Sequence, residues 1–353
     1  MKILHTADIH LREQGDERWK ALEELVEAGK KESIEIFAIS GDLFDRGVDA
    51  ERLRPAIRKV FSGTGFKIVL IPGNHDKDSY RPDLWFGEDI TILTDLHAPF
   101  EHKTLRMWGM PFEHMEGEKV LHELRVLADR LTSDKTNILL YHGELVDAFF
   151  SRSDFGDEGE ERYMPVKLSY FRDLNVDYVL AGHLHSHTRF WKLGNRGYFV
   201  YPGSPISITK RETGQRQANI IEVGKPPEAY PLNAPHFEHV IIEFDPLIEK
   251  DPIEQVRERL NDLHDSAKVL LTVTGFVNGE LIGMNEKEIV ERLKKIAGRR
   301  CVEERYEFKD IQAILEDDLV KRFMRKLETT DHEEPKKRDV LNTAIKAMID
   351  SRR

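Results

Sequence analysis

Five short, continuous apolar runs rich in β-branched residues mark the first half of the chain, at 2–4, 35–39, 67–71, 137–141 and 177–180. Unbroken runs of this length, without polar alternation, predict strands buried on both faces. Between the first two, Trp19, Leu22, Leu25 and Val26 recur at helical spacing within 17–31, and 50–61 repeats the pattern before the third. Strand alternating with helix predicts a layered α/β domain. Runs at 104–110, 198–201 and 218–223 follow with less helix between them and are available for a second sheet.

The pattern breaks at GKPPEAYPLNAPHF, 224–237, a Pro-rich candidate linker. Two domains are the expectation for 353 residues, and the first is placed at 1–235. A smaller α/β unit follows at 236–310, with strands at 239–244, 269–274 and 301–308 and helices at 253–264 and 286–297. From 311 to 353, Ile311, Ile314, Leu315, Leu319, Phe323 and Leu327 form one helical stripe. After the charged break TTDHEEPKKRD, Leu341, Ile345 and Met348 form a second. With little chain left for the second helix to pack against, partner binding is the expectation for it.

No apolar run approaches the roughly 20 residues that span a bilayer. MKILHTADIH lacks the apolar core and cleavage site of a secretory signal, so the expected location is cytoplasmic, nucleoid-associated in a prokaryote. Cys301 is the single cysteine, which excludes an intrachain disulfide and a cysteine metal cluster; it reads as a small buried hydrophobe. A net charge of −11 excludes a generally basic nucleic-acid coat and leaves local patches or bound cations to meet any phosphate.

Each of the five runs ends in polar residues of metal-ligand type. Asp8 and His10 follow the first, Asp42 and Asp45 the second, Asn74, His75 and Asp76 the third, His142 the fourth, and His183 and His185 the fifth. Ligands bind at the carboxyl ends of strands in open α/β sheets, so these loops should converge. Gly41, Gly73, Gly143 and Gly182 suit backbones turning tightly beside the site. Singly, an Asp after a strand is a helix cap and a loop His is solvated. Together, four imidazoles, carboxylates and an amide oxygen at five strand ends have no capping explanation. Such a mixed oxygen and nitrogen set suits Mn, Fe or Zn better than Ca or Mg.

Asp8-x-His10, Gly41-Asp42-x-x-Asp45, Gly73-Asn74-His75-Asp76, His142 and Gly182-His183-x-His185, in that order, resemble the signature of the calcineurin-like metallophosphoesterases over residues 1 to 205. The resemblance implies a four-layer αββα sandwich holding two divalent metal ions, with manganese the expectation. Asp42 would bridge them, Asp8, His10 and His185 would hold one, and Asn74, His142 and His183 the other. His75 lies beside a ligand without being one in the family pattern, which suits a general acid, and Asp45 is placed to orient it and raise its pKa. Asp76 reads at least as well as a turn brace.

Within that superfamily GDLFDRG looks like the serine/threonine phosphatases, but Leu11 and Pro72 stand where those enzymes carry Gly and Arg. KILHTADIHL, SGDLFD, IPGNHD, YVLAGHLH and Tyr201-Pro202-Gly203-Ser204-Pro205 are more similar to the double-strand-break-repair nucleases, called SbcD in bacteria and the meiotic-recombination-eleven protein elsewhere. VLLTVTGFVNGE then looks like that family's cap. This implies a DNA exonuclease and endonuclease, a homodimer, partnered by an SMC-like coiled-coil ATPase of SbcC type docking on the terminal helices. The chain has no phosphate-binding GxxxxGK[ST] loop of its own. Arg12, Lys77, Arg81, Arg152, Lys210 and Arg211 lie in or just after the motif loops and are candidate DNA contacts, while the acidic run 154–161 would repel DNA. The rival readings are a stand-alone cyclic-nucleotide or small-molecule phosphodiesterase and a non-catalytic scaffold of an ATPase complex; a scaffold has no need of His75.

Overall fold

The computed structural model describes residues 1–81, 83–148, 154, 162–186, 188–195, 197–246, 250–312 and 316–351, with side chains for all of these except 334, 338, 342 and 349–351. Arg152, Ile314, Leu315 and the acidic run apart from Asp154 lie outside the described residues. The chain divides into two compact units, Met1–Phe237 and Glu238–Arg353.

The first unit opens with β1 (Lys2–Thr6), α1 (Glu17–Lys31), β2 (Ile36–Ser40), α2 (Gly47–Phe61), β3 (Lys67–Ile71) and β4 (Ile90–Ile92). It continues through β5 (Phe100–His102), β6 (Leu105–Met110), α3 (Gly117–Ala128), β7 (Thr136–His142), α4 (Leu168–Phe171) and β8 (Tyr178–Gly182). β9 (Arg189–Leu193), β10 (Gly197–Tyr201), β11 (Gln217–Glu222) and β12 (Glu228–Pro231) complete it. One sheet has the order β12-β11-β1-β2-β3-β4 and the other β5-β6-β7-β8-β10-β9. Their facing sides share a core of Ile3, Ile36, Ala38, Val69, Ile138, Leu140, Leu180 and Val200.

The outer faces take the helices, so the layers are α, β, β, α. Trp19, Leu22, Leu25, Leu53, Ile57 and Phe61 cover Leu4, Phe37, Ile39 and Ile68 of the first sheet. Val120, Leu124, Leu127 and Phe171 cover Leu139, Tyr141 and Val179 of the second. α1 starts where Asp16 accepts the Trp19 N–H at 2.7 Å, and it carries Glu17 in its first turn and Lys30 and Lys31 in its last, each sign favoured by the helix dipole.

Two readings of the pattern change. The runs at 137–141 and 177–180 belong to the second sheet as β7 and β8, whereas 218–223 joins the first sheet as β11, antiparallel to β1. An apolar run states that a strand is buried; it does not state beside which strand. The Pro-rich 224–237 stretch holds a real strand, β12, tolerated because it lies at a sheet edge, where a proline without an N–H costs no ladder bond.

The second unit has β13 (His236–Phe244), α5 (Pro252–Asn261), β14 (Ala267–Val277), α6 (Gly279–Ile282), α7 (Glu286–Ala297), β15 (Cys301–Tyr306) and β16 (Lys309–Asp310). α5 and α7 pack Ile253, Val256, Leu260, Ile289 and Leu293 on Val240, Ile242, Val269 and Leu271. α7 opens with a capping box between Asn285 and Glu288. Cys301 is half-buried rather than buried, and burial pushes its thiol up to about 11. α8 (Asp318–Glu328) and α9 (Glu334–Ser351) end the chain. Half of the charged break is helical, with Pro335 in the first turn, where its missing N–H costs nothing. α9 does find packing: Ile345 is buried with Ile311 and Val320, against Met324 and Phe276. Among the described residues no helix is long and apolar enough to cross a membrane.

Candidate metal centre

The loops after β1 and β2 continue the parallel pairing of their strands. Asp8 N–H donates to the Gly41 carbonyl at 3.1 Å, His10 N–H to Asp42 at 3.0 Å, and Asp45 N–H to Leu11 at 3.1 Å. This zipper sets Asp8, His10 and Asp42 side by side. From the other sheet, β7 delivers His142 at its last residue and the β8 loop delivers His183, whose N–H donates to both Asp8 carboxylate oxygens at 3.1 and 3.0 Å.

Asp8, His10, Asp42 and His183 sit at φ of 55°, 51°, 52° and 91°, four of the seven non-glycine residues with positive φ among the described residues. Each such conformation costs about 1–3 kcal/mol and persists where the surroundings dictate it, typically at functional sites. The glycines make room. At Gly41 (φ +94°) a Cβ would run into the His142 ring, at Gly73 into the Asp42 carboxylate, and at Gly182 into the Ser40 carbonyl.

The donor atoms of Asp8, His10 and His185 gather in one buried group, and those of Asp8, Asp42 and His142 in a second, each within 4.8 Å. His185 Nε2 is 3.8 Å from Asp8 Oδ1, and Asp42 Oδ2 is 3.9 Å from His10 Nε2 and 3.2 Å from His142 Nε2. Asn74 Oδ1 is 2.9 Å from the same His142 nitrogen, and the His183 ring lies 5.5 Å from that of His142, centre to centre. His142 Nδ1 donates to the Ser40 carbonyl at 2.8 Å, which turns Nε2 toward Asn74 and Asp42. Asp8 is common to the two groups, and Asn74 and His183 lie beside the second, against His142.

Electrostatics shows what this arrangement asks for. Burial drives the Asp8 carboxyl up to about 7, helped by the negative Asp42 and opposed by His185 and His142. Burial also acts against Asp42 ionising, but His142 and His10 outweigh it and hold the carboxyl below its usual range. For His142 burial disfavours the charged form, yet Asp42, Asp8 and the Ser40 carbonyl raise it to about 10. Two fully buried carboxylates that rely on imidazoles for their positive charge, amid converging nitrogen and oxygen donors, fit divalent cations well.

His75 stands at the edge of the group, half-exposed, its ring 4.6 Å from that of His10. Its Nδ1 donates to the main-chain carbonyl of Asp45 at 3.0 Å, and its N–H donates to Asp42 Oδ1 at 2.9 Å. The Asp45 carboxylate forms a third group of donor atoms with His10 and His75, all within 4.8 Å of one another. It binds Arg12 Nε and Arg18 Nη1, both at 2.9 Å, with His10 Nδ1 at 3.7 Å, while the Asp45 main-chain carbonyl holds His75 Nδ1. Burial raises this carboxyl, and Arg12 and Arg18 overcome it to hold it below its usual range. Asp76 is a brace: it accepts from Gly73 N–H at 2.8 Å, Phe44 N–H at 3.2 Å and the Tyr80 hydroxyl at 2.7 Å.

The candidate DNA contacts separate in the same way. Arg12 is engaged by Asp45, and Arg81 by Glu51 at 3.0 Å and Asp83 at 3.6 Å. Lys77 is exposed, over the Phe112 ring and 3.2 Å from His114 Nε2; Lys210 and Arg211 are exposed.

Several supporting residues escape a reading of the pattern. Arg18, inside a helix, donates to the His10 carbonyl and to Asp45. Glu212 and Arg216, both buried, lie behind His185. Burial disfavours ionised Glu212, but His185, the Ile208 N–H and Arg216 keep its carboxyl below the usual range. Their only sequence signal is a charged pair in KRETGQR, a surface loop by composition, next to the Ser204 motif.

Solved structures of similar fold include a dimetal phosphatase from Danio rerio, at 11% identity and TM-score 0.42, covering 66% of this chain and 98% of that one. Another is a purple acid phosphatase from yellow lupin seeds, at 12% identity and TM-score 0.41, covering 62% and 48%. A 5'-nucleotidase precursor from Thermus thermophilus aligns at 12% identity and TM-score 0.39, covering 66% and 54%. The sequence model of the calcineurin-like phosphoesterases matches residues 1–187, more than half of the 353, and spans every candidate ligand. The protein belongs to the calcineurin-like phosphoesterase family, metal-dependent hydrolases of phosphoesters.

Proposed function

We propose that the chain hydrolyses the phosphodiester bonds of DNA, as a double-strand-break-repair nuclease of the SbcD and meiotic-recombination-eleven type. The observation that supports the hydrolytic part is the pair of buried donor groups that have Asp8 in common, one of them with Asp42. The DNA part rests on the five motif segments and the small α/β unit that follows them.

Asp8, His10 and His185 would hold one cation and Asn74, His142 and His183 the other, with Asp42 near both. When bound, such cations, manganese in this proposal, would supply acidification of a water and charge neutralisation at the non-bridging phosphate oxygens. As a water oxygen replaces the leaving sugar oxygen on phosphorus, His75 would give that leaving oxygen its proton. With Nδ1–H held by the Asp45 carbonyl, Nε2 is the nitrogen that delivers it. Lys77, Lys210 and Arg211 meet backbone phosphates. The partner is an SMC-like coiled-coil ATPase of SbcC type, seated on α8 at Leu319, which is 61% exposed, and the working form is a homodimer.

The test is incubation of the purified chain with Mn and, separately, linear duplex DNA, single-stranded DNA, a cyclic nucleotide and a phosphoprotein. Cleavage of the DNA strands is expected; turnover of the cyclic nucleotide alone would sink the nuclease reading. Leu319→Asp is expected to abolish association with the ATPase while single-strand cleavage continues, and unchanged association would refute the docking site.

A further inference from the structure

The two histidines that end their strand loops are held in different ways. His142 Nδ1 donates to a neutral main-chain carbonyl, that of Ser40. His185 Nδ1 faces a carboxylate: Oε1 of Glu212 lies 3.5 Å away, on a side chain with no solvent exposure. The rest of Glu212 is fixed. Oε1 accepts from Thr209 N–H at 3.2 Å and Thr209 Oγ1 at 3.1 Å, and Oε2 from Ile208 N–H at 2.8 Å and Ser204 Oγ at 3.3 Å.

The backbone of His185 is clamped in the same layer. Its N–H donates to the Asp154 carbonyl at 2.9 Å, and its own carbonyl accepts from Ser204 N–H at 3.1 Å and from Arg216. Arg216, also buried, ties Ser204 in turn, with Nε on its carbonyl at 2.9 Å and Nη2 on its hydroxyl at 3.1 Å. With the backbone held and Nδ1 facing Glu212 Oε1 at 3.5 Å, Nε2 of His185 is on the side of Asp8, 3.8 Å from Oδ1.

We propose that Glu212 is a positioning residue for the cation held by Asp8, His10 and His185: it fixes His185 in the Nδ1–H tautomer, and its negative charge makes Nε2 a stronger donor. A carboxylate behind a ligating imidazole does both, and its loss weakens metal binding about 10–100-fold. The inference rests on the two-cation reading above. It adds that the two strand-end histidines are backed unequally, His185 by a carboxylate and His142 by the Ser40 carbonyl.

The test is titration of the metal-free full-length protein with Mn by calorimetry, for the wild type, Glu212→Gln, His185→Ala and the double variant. Wild type is expected to bind two ions. Glu212→Gln is expected to lose about 10–100-fold in affinity at one site and nothing at the other, with an effect absorbed entirely by His185→Ala in the double variant. If both sites weaken together, or the Gln effect adds in full to His185→Ala, Glu212 is only a loop brace and the proposal is overturned. Unchanged binding of both ions overturns it too. Should Glu212→Gln fail to fold, Glu212→Asp keeps the charge but withdraws it from the ring, and the same single-site loss is expected. A wild type that takes up fewer than two ions would instead remove the two-cation reading beneath the proposal.

Discussion

Gly41→Ala places one methyl group against the centre of the site. At φ +94° the new Cβ would overlap His142 Nδ1 and come to 2.7 Å from Cγ and 2.9 Å from Cε1. The ring cannot retreat: it is fully buried, its Nδ1 is bound to the Ser40 carbonyl, and Gly182 packs close to the same nitrogen. Positive φ on a residue with a Cβ costs about 1–2 kcal/mol, and overpacking about 1–3, so the expected destabilisation is about 2–5 kcal/mol. Displacing His142 also breaks its alignment with Asn74 and Asp42, so one of the two ions should be lost. Gly224→Ala is the control, with φ +91° and nothing within 4 Å of the new Cβ; it should carry only the backbone cost and bind both ions. Denaturant unfolding of the metal-free proteins and calorimetry with Mn read the two effects. If Gly41→Ala is no less stable than Gly224→Ala and binds two ions, the reasoning about His142 is wrong.

Three further outcomes are expected. His75→Ala should bind both ions with wild-type affinity yet cleave about 10²–10⁴-fold more slowly; loss of an ion in that variant would make His75 a ligand. His5, buried on β1, has its pKa lowered by burial from 6.5 to about 3. The unfolded chain takes up this proton below pH 6.5 and the folded one does not until about pH 3, so stability should fall as pH drops through that window. The slope is about 1.4 kcal/mol per pH unit, or about 2 kcal/mol between pH 7 and 5, and His5→Gln should lack this component in urea titrations at the two pH values. Lys210→Ala and Arg211→Ala should each weaken duplex binding irrespective of sequence and reduce the slope of log K against log salt by about 0.9; an unchanged slope would move the DNA path elsewhere.

Much of the centre was legible because ligand chemistry is carried by residue type at strand ends. Asp8, His10, Asp42, Asn74, His142, His183 and His185 converge from two sheets although the pattern could not assign β7 and β8 to the second. What stayed hidden depends on side-chain direction. The Asp45 carboxylate binds Arg12 and Arg18 besides lying near His10 and His75, and spacing alone does not show those guanidinium partners. Glu212 sits in a charged loop that composition reads as surface, and it is buried only because Ser204, Thr209 and His185 close around it. α9 looked short of partners because Phe276, which packs there, comes from a distant strand.

The most direct test of the two-cation centre is a crystal of the full chain grown with Mn, with data collected at the manganese absorption edge. Two anomalous peaks are predicted, one bounded by Asp8, His10 and His185 and the other by Asn74, His142 and His183, with Asp42 touching both. A single peak, or peaks away from Asp42, would contradict the account.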